Sequence, residues 1–339
     1  MSELESVSLL EIPQDDWPKL RDLWATKPII SPGYQCLKIF IDWKEREPEL
    51  QLQILTLNEN WRNDGTFVLC LKLNEQIQHL YFNTLNDKLD GLTEALEIVP
   101  VTARKYFLFG YCSRLLPCAR SYHNRFPDKK VHTNETVWYH ASKELVSSFT
   151  IEIPPGVTLK TLQLKDAETI NEIWPHREPG SIDFVNRLIK YNVNVGAYDD
   201  SGKLVAWCLS APLGITLATL DLKDAETISQ LWPHRDPEAM NRTRRLIQYN
   251  VSVGAYDGTG KLIAWCLRHT NGSLGLLQVL ESHRRLGLGS LMVRYLSKTI
   301  SALGDVVQAP VVPENIPSRK MFEKLGFQSI DKIHWSLQK

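Results

Sequence analysis

Apolar residues recur along this chain at two periods, and the change from one to the other marks its elements. Between residues 50 and 140 strand-like alternation dominates. Positions 52–57, 67–73, 79–82, 106–109 and 135–139 read as strands, and 88–98 and 113–124 as helices. Near the other end, 274–280 is a continuous apolar run of strand length, and 290–303 carries an apolar stripe at helical spacing. A strand at 306–312 follows. The stretch 315–326 is then a short helix, with Asn315 as its cap and Gly326 as its stop. A last strand at 333–337 closes the pattern.

Between these regions the pattern repeats itself. Residues 156–209 and 214–267 align without gaps, about two thirds of the paired positions being identical, at an offset of 58. Each copy predicts a strand, two helices and a hairpin with a glycine-containing turn. In the second copy Asp224 caps a helix over 225–231 that stops before Trp232-Pro233, because a residue preceding proline avoids the α region. A second helix spans 238–249. Two copies are too few for a solenoid, which buries its faces by stacking three or more. The second copy runs straight into the strand at 274–280, so it completes a domain, and the first is left over. The spare copy can cover an exposed sheet edge, alternate with the second copy, or be an alternative coding segment joined at 210–213. Segments 1–150, 151–213 and 214–339 are the expected units, with a boundary near 147–155.

Composition narrows the function. The chain has 339 residues, 43% of them hydrophobic, and its 39 Lys and Arg balance 39 Asp and Glu. Neutrality removes the long-range pull on polyanions, so no nucleic-acid partner is expected. No apolar run approaches the ~20 residues of a membrane span, and no membrane partner is expected. The acidic start fits neither a secretory signal nor an Arg-rich presequence, which points to the cytoplasm. Six cysteines (Cys36, Cys70, Cys112, Cys118, Cys208 and Cys266) form no CxxC pair, so no metal is expected and reduced structural thiols are.

One turn carries chemistry. After the strand at 274–280 the chain reads Glu281-Ser-His-Arg-Arg-Leu-Gly-Leu-Gly289 and enters a helix at Ser290. Glycines there let the backbone approach a ligand, and the unpaired amides of a helix start converge on anionic oxygen. Arg284 and Arg285 add positive charge, so a pyrophosphate suits the site. A dinucleotide-binding turn is the competing reading, since Asp305 stands near the spacing of its acidic residue. The elements that follow do not fit that alternative.

The pair of motifs Arg284-x-x-Gly287-x-Gly289 and Asn315-x-x-Ser318-x-x-Met-Phe322-x-x-x-Gly326-Phe327 resembles the GCN5-related N-acetyltransferase (GNAT) superfamily. The Leu231-Trp232, Val-Gly-Ala-Tyr-Asp and Ala-Trp-Cys stretches look more narrowly like its glycine N-acyltransferase-like group, in an insect-type version. The resemblance covers 214–339 with specific motifs and 1–150 more loosely. It implies a mixed α/β (α+β) fold of two acetyltransferase-like domains, the second carrying the partial duplication.

The same resemblance implies that acetyl-CoA or another acyl-CoA binds with its pyrophosphate on Arg284, Arg285, Leu286, Gly287, Leu288, Gly289 and Ser290. Leu277, Gln278 and Val279 would pair with the pantetheine, and Asn315 and Ser318 would flank its thiol end. The acyl group would pass directly to a small amine or amino acid, with a backbone amide stabilising the oxyanion.

Two positions depart from that pattern. Ser273 stands where relatives have a glutamate thought to be the base, and Phe322 where many have a tyrosine that protonates the thiolate. Glu281 and His283, at the strand end, are the replacement base candidates, histidine exchanging protons near neutral pH. The departures leave a second reading open, an acyl-CoA-binding sensor that no longer catalyses. The Trp-Pro-His-Arg boxes at 174–177 and 232–235 read either as acceptor-site loops or as core anchors followed by solvated turns.

Overall fold

The computed structural model describes residues 8–338 apart from 26–31, 60, 74, 150–156, 161, 174–180, 192–194, 209–215, 233–237, 258 and 285–286. The first half runs β1 (Leu9–Glu11), α1 (Trp17–Leu23), α2 (Gly33–Arg46), β2 (Gln51–Leu57), α3 (Trp61–Asp64), β3 (Phe67–Lys72), β4 (Ile77–Asn83), α4 (Asp90–Ile98), β5 (Lys105–Cys112), α5 (Leu116–Asn124), β6 (Val131–Ala141) and α6 (Lys143–Ser148). The first repeat copy is β7 (Val157–Lys160), α7 (Ala167–Ile173), α8 (Ser181–Tyr191), β8 (Val195–Asp199) and β9 (Leu204–Cys208). The second is β10 (Thr216–Ala218), α9 (Ala225–Leu231), α10 (Ala239–Tyr249), β11 (Ser252–Tyr256) and β12 (Leu262–Arg268). Then come β13 (Leu274–Val279), α11 (Leu288–Ala302), β14 (Val307–Val311), α12 (Ile316–Lys324) and β15 (Gln328–Gln338).

The two halves are joined by exchanged strands. The largest sheet has the order β1-β2-β3-β4-β5-β15-β6-β14, so the last strand of the chain lies between two strands of the first half. β15 pairs antiparallel with β6 from Gln328↔His140 to Gln338↔Val131, and β6 in turn pairs with β14. An expected short strand at 333–337 is therefore an eleven-residue connector. The second copy and β13 form a separate four-stranded sheet, β10-β11-β12-β13.

Each face of these sheets is closed by helices. α4 and α5 cover one face of the large sheet around Leu96, Tyr106, Cys118 and Trp138. The other face buries α2 (Leu37, Phe40, Trp43) together with Ile228, Leu246 and Trp265 of the second copy. α11 covers the four-stranded sheet through Met292, Val293 and Leu296, and Phe149 joins this cluster. The first copy differs: among the described residues its core of Leu162, Ala167, Ile170, Val185, Ile189, Tyr198 and Leu204 draws on the copy itself.

The copies share their internal wiring. Tyr198 donates to Asp166 at 2.7 Å, as Tyr256 does to Asp224 at 2.5 Å. Asp224 is not the simple helix cap that its position suggests. It is the third residue of a capping box, accepting from the Asp221 amide at 2.8 Å while the Asp221 side chain caps the turn.

Five of the cysteines are free and buried, Cys36, Cys70, Cys112, Cys118 and Cys266, and burial raises the pKa of every one of these thiols. Among the described residues no helix is long and apolar enough to cross a membrane, and no group of three His, Cys, Asp or Glu is placed to hold a metal ion.

One buried histidine gives the fold an acid-sensitive point. His123 Nδ1 lies 2.9 Å from the Tyr106 hydroxyl, and burial pushes its pKa down to about 4. The unfolded chain protonates this group near ~6.5 while the folded one keeps it neutral. Its stabilisation is therefore complete above pH 6.5 and is lost as pH falls from there through 4. His123→Gln, which retains a partner for Tyr106, should remove about 1–2 kcal/mol of that acid loss, the ring being partly solvated. Equal acid slopes for both chains in urea titrations would refute this.

Candidate functional site

β13 is the strand that positions the site, and it is bent. Leu276 has φ +49, one of three non-glycine residues in the left-handed region among those described. The ladder to β12 jumps at the same point, from Trp265↔Gln278 to Leu267↔Gly275. An extra residue in one strand of a pair bends the strand and re-aims its amides. Beyond the bulge, β13 is the edge of its sheet while β14 is the edge of the other, and the two lie against each other. The first half differs at the equivalent place, since β4 and β5 are bonded in parallel from Ile77↔Lys105 to Leu80↔Leu108.

Leu277, Gln278 and Val279 lie on β13 at this split. A single 3-10 turn, Glu281–His283, follows, and α11 starts with Gly287 as its N-cap. Gly287 has φ +77, which a side chain would strain, and open space where a Cβ would stand. Among the described residues no side chain caps α11, and the amides at its start lack an intrahelical partner. Leu288 is buried under the turn, while Gly289 and Ser290 are half-buried beside it. A Cβ on Gly289 would stand 3.2 Å from Met321 Sδ, tying the turn to α12. Arg284 is exposed at the mouth, and Arg285 and Leu286 lie outside the described residues.

The equivalent turn of the first half is already filled. Arg114 donates to the carbonyls of Thr84 and Asn86 in the loop after β4, and no glycine cradle follows.

The remaining sequence candidates divide. Asn315 caps α12, accepting from the Ser318 amide at 3.2 Å, and both lie across from the turn on the next helix. Ser273 is fully buried and donates to Asn271 at 2.7 Å, so its hydroxyl is spent inside the β12–β13 hairpin. Phe322 is buried and stacks on Tyr139 of β6, with ring centroids 5.9 Å apart. That phenol was not singled out from the sequence. It donates to Glu323 at 2.8 Å, which turns its proton away from the split.

Glu281 and His283 flank the turn itself, with His283 Nδ1 2.9 Å from Ser282 Oγ. They stand five and seven residues past the Leu276 bulge, ~16 Å or more along an extended chain. Trp232 packs against the shared core, and most of both Trp-Pro-His-Arg boxes lies outside the described residues.

An open cavity of 660 Å³ lies beside the turn rather than in the split, lined by Thr216, Ala218, Asp221, Lys223, Tyr256 and Asp257. The Asp257 carboxyl is held below its ordinary range, chiefly by a hydrogen bond from Thr259, and His283 lies near enough to act on it. The cavity and the turn thus share one electrostatic neighbourhood.

Residues 252–336 match the FR47-like protein family model. An X-ray structure of a Drosophila protein superposes with a TM-score of 0.60 at 18% identity, covering 98% of each chain. A tandem GNAT protein from the clavulanic acid biosynthesis pathway superposes at 0.50 with 13% identity, again over 98% of each chain. The chain has a tandem GNAT fold. No curated protein matches it in sequence.

Proposed function

We propose that the protein is an acyl-CoA-dependent N-acyltransferase acting on a small amine or amino acid, in the manner of the glycine N-acyltransferase-like group. One observation carries the reading: a strand bent at Leu276 and open along one edge delivers an uncapped helix start at Gly287. The orphan amides from Leu288 to Ser290, with Arg284 exposed at the mouth and Arg285 next to it in sequence, suit a pyrophosphate. The open edge at Leu277, Gln278 and Val279 suits the amide-bearing arm of an acyl-CoA. When bound, that co-substrate supplies the acyl group. The protein's part is to align the arm along β13 and to take a proton from the incoming amine.

Glu281 and His283 are the side chains offered for that proton, reaching an acceptor that enters along the rim of the turn. Thermal melts with CoA, acetyl-CoA and benzoyl-CoA test the binding half of the reading. A thioester at ~100 times its Kd should stabilise the native state by about 2.7 kcal/mol. The chemical half is tested by Glu281→Gln with His283→Gln. That pair should lower kcat by about 10²–10⁴-fold and leave the thermal shift intact. Undiminished turnover would show that neither group is the base.

The sealed state of Ser273 and Phe322 supports a second reading, an acyl-CoA sensor without turnover. It predicts the same thermal shift and no acylated product with any amine.

A further inference from the structure

The seat of the second copy on α2 is specific. Arg245 donates to Glu47 through Nε at 3.0 Å and Nη2 at 2.6 Å. Tyr249 donates to the same carboxylate at 3.3 Å, and Asn250 accepts from the Trp43 indole at 2.8 Å. Glu47 responds as a paired group does: the hydrogen bond from Arg245 holds its carboxyl below the usual range. Around these contacts the second copy buries Leu246, Trp265 and Leu267 against α2 and the large sheet.

Every one of these side chains recurs 58 positions earlier. Arg187, Tyr191 and Asn192 stand where Arg245, Tyr249 and Asn250 do, and Leu188, Trp207 and Leu209 repeat the apolar set. In the second copy these three polar side chains all reach Trp43 or Glu47 in the first half. β9 is moreover an edge strand in the first copy, where its counterpart β12 is interior and pairs with β13.

We propose that the first copy is an alternative occupant of the second copy's seat, docking in the same chain on α2 through Arg187–Glu47 and on β13 through β9. The connections permit it. Phe149 packs in the same cluster as Val253, and Leu217 of β10 packs against that cluster. Residues 150–156 reach up to about 23 Å, enough to bring β7 to the place of β10. One difference favours the arrangement seen here: the last residue of β12 is Arg268, paired with Asp305 at 2.9 Å, and its counterpart in the first copy is Ser210.

The exchange would change the site as well as the seat. With the first copy docked, Lys160 and Gln163 take the places of Ala218 and Asp221 in the cavity beside the turn, adding two units of positive charge. The two arrangements then hold anionic ligands differently.

Two full-length double variants of identical composition test this. Glu47→Arg with Arg245→Glu restores the pair to the second copy, and Glu47→Arg with Arg187→Glu offers it to the first. Hydrogen exchange is read on α8 and α10. The first variant should match the natural protein. In the second, α8 amides should slow and α10 amides quicken, each by about tenfold. If both variants keep α10 protected and α8 unchanged, or if the second simply unfolds while the first does not, the exchange is excluded. Neither readout involves CoA, so this failure would leave the acyltransferase reading standing.

Discussion

Asp305→Ala should cost about 3–5 kcal/mol of stability in chemical denaturation, the largest loss expected from any single polar substitution here. Asp305 is buried, and so is its partner Arg268. Arg268 Nη1 lies 2.9 Å from Asp305 Oδ2, a charge contact rather than a well-angled hydrogen bond, since that oxygen accepts none. The guanidinium also donates to Gln35 at 2.6 Å and to the Gly272 carbonyl at 3.1 Å. Lys38 reaches the other carboxylate oxygen at 2.6 Å. The cluster ties α2 to the β12–β13 hairpin and to the loop before β14. Burial already pulls the pKa of Arg268 down, and Asp305 opposes that pull. Without the carboxylate, a desolvated cation remains with only neutral partners. Arg268→Met with Asp305→Leu removes both charges and should recover most of the loss, because an apolar pair of similar volume avoids the desolvation. A cost below about 1 kcal/mol for the single change would show that water reaches the cluster.

The same residue shows where sequence reading stops. Asp305 stands near the spacing at which a dinucleotide fold places a ribose-binding acid, and spacing cannot tell a ligand acid from a buried latch. Its partners Lys38 and Gln35 lie on α2, a helix that the apolar pattern did not predict. α2 buries Cys36, Ile39, Phe40 and Trp43 at helical spacing, with Leu37 and Ile41 widening the same face. Its β-branched and aromatic residues favour strands when read locally, and that preference competes with the spacing. The exchanged strand was hidden for a related reason. β15 alternates like any half-buried strand, and nothing local in it names β5 and β6 as neighbours.

The glycine turn was legible because its requirements are local. Gly287 needs a positive φ, Asn315 needs to cap and Gly326 to terminate, and each does so where the pattern put it. The base was not legible. Ser273 closes on Asn271 inside a hairpin, and the substitutes Glu281 and His283 rest on their place at the end of the strand. A sequence does not show how far along the bent strand an acceptor meets them.

Gly289→Glu should abolish the stabilisation by CoA while leaving the free protein as stable as before, or slightly more so. Gly289 lies in the first turn of α11 with no positive φ, so a side chain brings no backbone strain. Its Cβ would meet only the flexible end of Met321 and, at 3.9 Å, Val279. Helix propensity and a carboxylate beside the positive helix start both favour the new residue by a few tenths to about 1 kcal/mol. The carboxylate nevertheless occupies the charge and the amides that a pyrophosphate needs, so the ~2.7 kcal/mol gained at 100 times Kd should fall to near zero. Gly287→Ala makes the opposite case. At φ +77 a Cβ costs about 1–2 kcal/mol in the free protein although nothing stands in its way. Binding corrected for that loss should change little, because the methyl adds no charge. If Gly289→Glu keeps the full CoA shift, the amides at the start of α11 do not hold the ligand. The site would then have to be sought in the cavity beside Tyr256, where Lys223 is the nearest cation among its lining residues.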